Sequence, residues 1–467
     1  MIFPLITFPY ASRILEADGI GVVNFYSSII SYISLVTCLG IPLYATREIA
    51  KVKHDPQQLT KTSTEILLLH IILTLIGYVI VAVLCLTVPR IKENAGLFLI
   101  LSTSLIFTTM GCDWFFRGTE DFKYITIRGL IVRIIYLPLL FIFVRTKQDL
   151  LMYGGLTVLL SVGNNILNFY RLSRLIDLKS LKEASKKPTA HLRGAFNIFL
   201  LSASISLYVQ VNVIILGFLS SSTNVGYYVA ASKITLIFSG VIVALQTSLL
   251  PRSSALLAQN NTKVFKETMT KVIRFIFCFT LPMAAGLIVM APIVIKLIAG
   301  DSYEPAIPAL KLLSLNLVFS IFNSFICSGI LIPQGREKQA TYACLIGGVA
   351  NIALNFLLIP FFLQNGSALA AIITELIVAI SLIMFGRNYI PFKIWNVCNF
   401  KYLAASIFMF IICSLFWDLD SHEAYRIVVI PLVGGISYII LLNIFKDTFI
   451  IDFQKMLVAK FRLVRNR

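Results

Sequence analysis

Four ionisable residues stand inside long apolar stretches of the chain, where a charge needs a chemical reason. They are Arg133, Lys233, Lys311 and Glu375. Placing one charge at the centre of a bilayer costs roughly 2.5–3.5 kcal/mol on insertion scales. The three cations are therefore expected to face a hydrated cavity that takes an anionic substrate. The alternatives are snorkelling to the membrane surface and a buried pair with Glu375 or Asp113.

The two acidic groups in this set carry a second hypothesis, which is ion coupling. Glu375 lies within an apolar run and Asp113 lies near the end of another. A carboxylate inside a membrane protein commonly relays a proton or binds a cation. Glu375 and Asp113 are therefore the candidates for ion coupling, with helix packing as the alternative for Glu375.

Three arginines near the ends of apolar runs form a further basic group: Arg13, Arg47 and Arg252. A guanidinium group donates bidentate hydrogen bonds to phosphate oxygens, so these residues suit an anionic lipid head group. Anchoring at the cytoplasmic membrane surface is the alternative for Arg47 and Arg252. It does not explain Arg13, which falls on the opposite side by the charge rule.

Polar residues also recur at helical spacing on single faces of two apolar runs. Such a face predicts either the wall of a wet cavity or tight packing between helices through small residues. The stripes in these two runs favour the cavity, because the runs lie at equivalent edges of the two predicted lobes. The stripes are Asn24, Ser27, Ser31, Ser34 and Cys38 in one run, and Ser202, Ser206 and Gln210 in the other.

The composition explains why these residues must be positioned by membrane helices. The 467 residues are 58% hydrophobic and only 13% charged, whereas a soluble domain is about 45–50% apolar and about 25% charged. The chain is therefore predicted to be an all-α integral membrane protein with about fourteen spans. The predicted spans are 1–10, 21–46, 65–88, 96–115, 124–144, 150–169, 195–219, 225–250, 272–299, 305–332, 340–363, 367–387, 400–417 and 425–445.

The basic residues predict the orientation of these spans. With the N-terminus inside, 30 of the 40 Lys and Arg residues fall on the cytoplasmic side, 7 fall outside and 3 lie within spans. This asymmetry follows the positive-inside rule, so both termini are predicted to be cytoplasmic. The net charge of +18 is explained by the same rule, and nucleic acid is not expected as a partner. The first span is expected to be cut short.

An internal repeat organises the spans into two halves. Gly21 and Gly226 each open a long run after a short outside turn, and each stands 26 residues before an arginine, Arg47 or Arg252. Six spans separate the copies, so the repeat is parallel, as in transporters built from two lobes. The predicted domains are an N-terminal lobe (1–170), a basic cytoplasmic linker (171–194), a C-terminal lobe (195–390), and two further helices with a basic tail (391–467).

No constellation typical of an enzyme is present. The sequence lacks a Gly-x-Ser-x-Gly elbow, a phosphate-binding Walker loop, a His-Glu-x-x-His motif and paired carboxylates. No cofactor and no metal site is predicted, and without a nucleotide-binding domain ATP is not expected to drive this chain directly. The eight cysteines are scattered through apolar segments and are interpreted as small core residues.

Several short motifs, in order along nearly the whole chain, resemble those of the O-antigen-type polysaccharide flippases of the multidrug/oligosaccharidyl-lipid/polysaccharide exporter superfamily. The family often carries an acid where Asn212 stands, and its first helix is normally complete. The motifs are Phe8-Pro9-Tyr10-Ala11-Ser12-Arg13, Arg47-Glu48-Ile49-Ala50, Asp113-Trp114-Phe115-Phe116-Arg117-Gly118, Asn224-Val225-Gly226-Tyr227-Tyr228, Leu250-Pro251-Arg252 and Ile332-Pro333-Gln334-Gly335-Arg336.

The resemblance implies two six-helix lobes around a basic central cavity. It implies a substrate made of an oligosaccharide on undecaprenyl pyrophosphate, moved by alternating access to the outer leaflet of the bacterial inner membrane. By motif position, Arg13, Arg47 and Arg252 match the basic residues expected around the cavity, with Lys233 beside them. Membrane lipids, a polysaccharide polymerase and a chain-length regulator are the expected partners. The alternatives are a lipid II flippase or a multidrug/cation antiporter of the same superfamily, and a membrane enzyme.

Overall fold

The computed structural model describes residues 2–176, 191–247, 249–259, 261–392, 397–417, 422–451 and 454; at 197, 198, 200–210 and a few other helical positions it describes the backbone alone. Every regular element in these ranges is helical. Residue contacts divide the chain into two compact units, which we call the N-terminal unit (Ile2–Gly226) and the C-terminal unit (Tyr227–Arg467). The predicted linker between lobes stays a prediction, because 177–190 lie outside the described residues.

The N-terminal unit contains ten helices and the first turn of an eleventh. The bounds are α1 Ile2–Cys38, α2 Ile41–Val52, α3 Pro56–Thr87, α4 Pro89–Lys92, α5 Ala95–Gly111, α6 Asp113–Gly118, α7 Phe122–Phe143, α8 Leu150–Val162, α9 Asn164–Leu175 and α10 Leu192–Leu219. Helix α11, Ser222–Thr247, begins in this unit and continues into the C-terminal unit.

The C-terminal unit continues with six more α-helices. The bounds are α12 Leu249–Ala258, α13 Thr262–Ile298, α14 Ile307–Phe325, α15 Glu337–Gly386, α16 Val397–Trp417 and α17 Glu423–Ile444. Short 3₁₀ turns cover Asp301–Ala306 and Ile332–Gln334, and a π-helical turn covers Ile326–Leu331.

Side-chain caps define where several of these helices begin. The Asp55 carboxylate accepts hydrogen bonds from the backbone N–H groups of Gln57 (3.0 Å) and Gln58 (3.1 Å) at the start of α3. Asp121 caps α7 and Asn261 caps α13 in the same manner. A cap satisfies N–H groups that have no partner within the helix, so these polar residues end the loops on the membrane surface.

Two long helices contain breaks that separate successive spans. Helix α1 breaks at Glu16 (φ 53°, ψ −173°), and Leu39 and Gly40 (φ 40° and 73°) separate it from α2. Arg13 therefore lies on a helix rather than in the loop expected from the sequence. Arg47 lies on α2, beyond the break, and does not continue the long helix that begins after Glu16.

Helix α15 is a hairpin of two antiparallel halves that turns at Leu363 (φ 51°, ψ −128°). The Asn351 side chain donates to Thr374 Oγ1 at 3.1 Å, and Ser367 Oγ donates to Asn355 Oδ1 at 3.0 Å. These pairs, 23 and 12 residues apart, place the two halves side by side. They correspond to the predicted spans 340–363 and 367–387.

Nine helical stretches among the described residues are long and apolar enough to cross a membrane, or ten if the pair α8 and α9, bent by 46°, forms one span. Two of the nine, Phe3–Val52 and Glu337–Gly386, contain the breaks described above. An all-α membrane protein is therefore confirmed. The count of fourteen spans stays a prediction.

Each unit has its own apolar core. In the N-terminal unit, Ile41 and Ile49 of α2 pack with Ile66 of α3 and Trp114 of α6. In the C-terminal unit, α13, α14 and α15 share one core. Helices α16 and α17, the two further helices predicted after the C-terminal lobe, share a second core with α13, in which Tyr438 Oη donates to the Cys278 carbonyl at 2.8 Å.

The hairpin of α15 yields a test of its packing. A Cβ atom added at Gly347 would lie 2.2 Å from Val378 Cγ2, and a β-branched side chain in a helix has little freedom to move away. Overpacking of this kind costs about 1–3 kcal/mol. We expect Gly347→Ala to lower the unfolding temperature of the detergent-solubilised protein. The matched control is Gly435→Ala in α17, where nothing lies within 4 Å; equal unfolding temperatures for the two variants would contradict the packing.

Candidate functional site

The polar stripe of α1 lies on a face that is neither core nor fully exposed. All five residues of the stripe are half-buried: Asn24, Ser27, Ser31, Ser34 and Cys38. Asn24 Nδ2 donates to the Ile20 carbonyl at 2.7 Å, and Ser31 Oγ donates to the Ser27 carbonyl at 2.8 Å. Asn24 and Ser31 thus donate to backbone carbonyl groups of their own helix. Their side-chain oxygens remain available as acceptors for water or for hydroxyl groups of a substrate.

The end of the stripe at Cys38 contacts a buried histidine. Cys38 Sγ lies 3.8 Å from His70 Nε2, and His70 is 2% exposed. Its Nδ1 atom has no hydrogen-bond partner among the described residues. The histidines are isolated from one another in the sequence, so no motif points to His70. The one sequence feature that draws attention to His70 is its position inside the predicted apolar span 65–88.

A second histidine joins three elements of the N-terminal unit. His191, just before α10, contacts Tyr44 of α2, with Nδ1 2.9 Å from Oη, and Glu65 of α3, with Nε2 3.0 Å from Oε2. Gly194 permits this approach, because a Cβ atom there would lie 2.4 Å from the Tyr44 ring. Sequence reasoning misses this cluster because its members are far apart along the chain.

Asp113, one candidate for ion coupling, is held between two guanidinium groups. Arg117 Nε donates to its Oδ2 atom at 2.5 Å, and Arg128 donates to Oδ1. Arg128 is 2% exposed, and its guanidinium carbon lies 5.8 Å and 5.6 Å from the ring centres of Phe116 and Tyr124. The carboxylate therefore compensates a buried cation. An ion-coupling role for Asp113 would require one of these pairs to open.

The predicted cations of the N-terminal unit are exposed. Arg13 lies on α1, Arg47 on α2 and Arg133 on α7. Within the part of the chain that the structure describes, Arg47 and Arg133 form no ion pair. Arg133 shares an exposed helix face with Leu130 and Ile134, which are 52% and 70% exposed. This apolar setting favours an extended, snorkelling side chain for Arg133.

The predicted cations of the C-terminal unit differ in burial. Lys233 of α11 is half-buried and lies between fully buried residues, Ala231 and Ile234. Arg252 of α12 and Lys311 of α14 are exposed, and neither forms an ion pair with a described residue. Gln210, the remaining substrate-binding candidate, has a side chain that lies outside the described residues.

Glu375 is the most buried carboxyl group of the candidate set, at 7% exposure. Asn323 Nδ2 donates to Glu375 Oε2 at 2.6 Å and to the Glu375 carbonyl at 2.8 Å, and Ser320 adds a hydrogen bond to the side chain. No cation pairs with Glu375 among the described residues. Hydrogen bonds to neutral donors accommodate either a protonated carboxyl or a carboxylate that holds an exchangeable cation.

The surroundings of Glu375 are polar over some distance along α15. Asn355 Nδ2 donates to the Asn351 carbonyl at 2.8 Å, and Asn351 in turn donates to Thr374, which precedes Glu375. All four residues are buried. Because these buried polar groups find partners, the two halves of the hairpin are joined by a fixed hydrogen-bond network.

Comparison with known proteins places this arrangement in a family. The sequence pattern of the family described as "Polysaccharide biosynthesis protein" matches residues 1–257, and the pattern described as "MatE" matches residues 198–357. A protein of Escherichia coli (strain K12), provisionally named as an O-antigen transporter, is 27% identical over 83% of this chain and 93% of its own length. A similarly named protein of Shigella dysenteriae is 24% identical over 81% of this chain and 94% of its own.

Solved structures share the fold at low sequence identity. The lipid II flippase MurJ in an inward closed conformation superposes with a TM-score of 0.74 at 18% identity, covering 95% of this chain and 96% of that one. An inward-facing multidrug resistance transporter of the MATE family superposes with a TM-score of 0.66 at 16% identity, covering 83% and 93%. The family pattern covers more than half of the sequence, and the chain therefore belongs to the polysaccharide biosynthesis protein family.

Proposed function

We propose that this protein moves oligosaccharide units linked to undecaprenyl pyrophosphate from the cytoplasmic to the outer leaflet of the bacterial inner membrane. Alternating access of the two predicted lobes would carry out the step, in the biosynthesis of O-antigen or capsule. Family membership and the two relatives named for O-antigen transport support a polysaccharide flippase. The proposal adds two details to this support: the undecaprenyl carrier and the transfer from the cytoplasmic to the outer leaflet.

The physical task explains why basic residues are needed. A pyrophosphate and its sugars cannot cross hydrocarbon unaided, because charged and hydroxyl groups lose their hydration there. A hydrated path with fixed cations lowers that barrier. The observation that carries the proposal is Lys233, a half-buried ammonium group on an apolar helix of a chain from this family.

The substrate groups are assigned by charge and by motif position. Lys233, Arg13, Arg47 and Arg252 are proposed to contact the pyrophosphate during entry and transfer, the arginines through bidentate hydrogen bonds. Gln210 and the stripe of α1 are proposed to contact sugar hydroxyls. Arg133 and Lys311 are secondary candidates, since neither lies at a motif position that the family resemblance matches to the cavity.

Ion coupling is assigned to Glu375 ahead of Asp113. Glu375 is buried without a cationic partner among the described residues, whereas Asp113 already binds two arginines. A buried carboxyl group without a cationic partner gains more from taking up a proton or a metal cation than one that is already paired. Binding and release of that ion would bias the protein between its two conformations.

The orientation and partners complete the proposal. Both termini would be cytoplasmic, following the distribution of Lys and Arg. A polysaccharide polymerase and a chain-length regulator would act on the exported units. The second candidate function is export of another lipid-linked substrate such as lipid II, favoured by the similarity of fold to MurJ.

The cationic site is tested by removing one charge at a time. Lys233→Ala and Arg252→Ala should leave membrane insertion intact and abolish surface polysaccharide, because the pyrophosphate loses its counter-charge. Lipid-linked units should accumulate in the cytoplasmic leaflet. The measurements are immunoblotting of surface polysaccharide and mass spectrometry of extracted lipids from a deletion strain that carries each variant.

The matched control is Lys296→Ala, which removes a positive charge that pairs with Glu423 at the protein surface (2.5 Å). Exposed pairs contribute little stability, because water and salt screen them, so this variant should export normally. Wild-type surface polysaccharide in the deletion strain itself would refute the proposed function. Accumulated lipid II in place of a sugar-repeat carrier would favour the second candidate.

The coupling role of Glu375 predicts a change in ion dependence. In vesicles that contain the purified protein, an inward or outward proton or sodium gradient should alter the transport rate of the wild type. Glu375→Gln retains an acceptor for Asn323 but cannot ionise, so its rate should not respond to either gradient. Asp447→Asn is the matched control, since Asp447 is also buried and accepts from Tyr402 at 3.2 Å. A wild-type response in Glu375→Gln would contradict the assignment.

A further inference from the structure

Three arginines of the N-terminal unit gather around two aromatic rings where α6, α7 and α9 meet. The guanidinium carbons of Arg128 and Arg171 each lie 5.8 Å from the Phe116 ring centre. They lie 5.6 Å and 4.1 Å from the Tyr124 ring centre. Arg117 joins them through a carboxylate that it shares with Arg128. We call Arg117, Arg128 and Arg171 the arginine cluster.

The carboxylates beside the arginine cluster do not neutralise it. Asp113 accepts from both Arg117 (2.5 Å) and Arg128, and Asp121 pairs with Arg171 at 2.7 Å. Three guanidinium groups therefore share two carboxylates. Because a guanidinium group stays charged at any physiological pH, the cluster keeps one net positive charge.

Two more cations extend this charge along the same helices. Lys123 of α7 and Arg174 of α9 are exposed, and neither forms an ion pair with a residue in the described ranges. Glu120, which precedes α7, is already paired with Lys53 at 3.1 Å. The positive charge around the arginine cluster is therefore available to an anion from outside the chain.

The members of the arginine cluster differ in how far they can be reached. Arg128 is 2% exposed, and its Nε and Nη1 atoms have no hydrogen-bond partner among the described residues. Buried donors without a partner are costly and uncommon in folded proteins. The side chains of Arg117 and Arg171 are 60% and 41% exposed. An anion can therefore approach these two arginines, with the charge of Arg128 behind them.

An exposed apolar surface adjoins the arginine cluster. Tyr124 Oη donates to the Leu167 carbonyl at 2.9 Å and holds α7 against α9. Beyond Tyr124, isoleucines at helical spacing leave one side of α7 exposed, and Leu167 continues this surface on α9. A phospholipid can lay its acyl chains on such a surface and place its phosphate on the basic group at the end. The exposed apolar residues are Ile127, Ile131, Ile135 and Leu167.

We propose that the arginine cluster binds the phosphate of an anionic membrane phospholipid, of the phosphatidylglycerol class, whose acyl chains lie along the exposed side of α7. Arg117 and Arg171 donate to the phosphate oxygens, because a guanidinium group forms bidentate hydrogen bonds with phosphate. None of the three arginines belongs to the set proposed to bind the transported substrate. The lipid site therefore goes beyond the proposed function and does not depend on it.

Native mass spectrometry of the full-length protein in detergent tests the lipid site. Phosphatidylglycerol should bind more tightly than phosphatidylcholine, whose head group has no net charge. Arg171→Ala should weaken binding of phosphatidylglycerol about tenfold, as expected for the loss of one charge-assisted hydrogen bond. The matched control is Arg336→Ala, since Arg336 is also exposed and lies 4.5 Å over a tyrosine ring, that of Tyr389. This control should bind as the wild type does.

A substitution of the paired carboxylate separates lipid binding from a purely structural ion pair. Arg171→Ala and Asp121→Asn both break the pair between Arg171 and Asp121, and asparagine can still cap α7. The proposed site predicts opposite effects on lipid affinity. Asp121→Asn should strengthen binding of phosphatidylglycerol, because Arg171 is released to the phosphate and a competing negative charge is removed. Arg171→Lys should retain part of the affinity, since it keeps the charge without the planar fork.

The outcomes decide between this lipid and other anions. Equal affinity of the wild type and Arg171→Ala for phosphatidylglycerol, or weaker binding by Asp121→Asn, would overturn the site. Displacement of bound phosphatidylglycerol by inorganic phosphate at constant ionic strength, or by an equal amount of undecaprenyl pyrophosphate, would also overturn it. Unfolding temperatures of the same samples distinguish loss of fold from loss of binding. If Arg171→Ala does not fold, the comparison of Asp121→Asn with the wild type decides.

Discussion

The cost of placing charge in hydrocarbon organises the described parts of this protein. Ionisable side chains within its apolar helices are accommodated in three different ways. Arg128 is buried against Asp113 and two aromatic rings, Glu375 is buried against the amide of Asn323, and Arg133 stands on an exposed helix face. These settings separate groups that stabilise the fold from groups that are available to bind or to ionise.

The same constraint decides how much can be predicted from the sequence. The all-α membrane class follows from composition. The burial of Glu375 is predictable as well, because a lone acid within an apolar run is costly wherever it faces lipid. The helix breaks at Glu16 and Leu363 are not, since positive φ at a non-glycine residue leaves no sequence signal. The antiparallel arrangement of α15 is nevertheless implied by the short polar interval between two apolar runs.

Contacts between distant residues are beyond the reach of the sequence. The His191, Tyr44 and Glu65 cluster joins residues up to 147 positions apart, and no spacing rule connects them. The pair of Arg128 and Asp113 joins residues 15 positions apart on different helices, and no spacing rule predicts it either. The predicted internal repeat is different, because its offset of 205 recurs in one contact, the hydrogen bond from Thr223 Oγ1 to Asp18 Oδ1 at 3.5 Å.

Small residues give these membrane helices their closest contacts, and large charged residues give them their chemistry. At Gly21, Gly226 and Gly347, a neighbouring backbone or side-chain atom occupies the space that a Cβ atom would need. Lys233 and Glu375 lie on helices of the C-terminal unit, and the transport proposal depends on their charge.

The most direct test is transport of a lipid-linked saccharide by the purified protein. Fluorescent undecaprenyl-pyrophosphate oligosaccharide would be placed in the outer leaflet of vesicles, and its accessibility to an impermeant quencher would be followed over time. We expect vesicles with the wild-type protein to lose accessible fluorescence as molecules reach the inner leaflet, whereas protein-free vesicles should not. Equal time courses for the two preparations would contradict transport of this substrate.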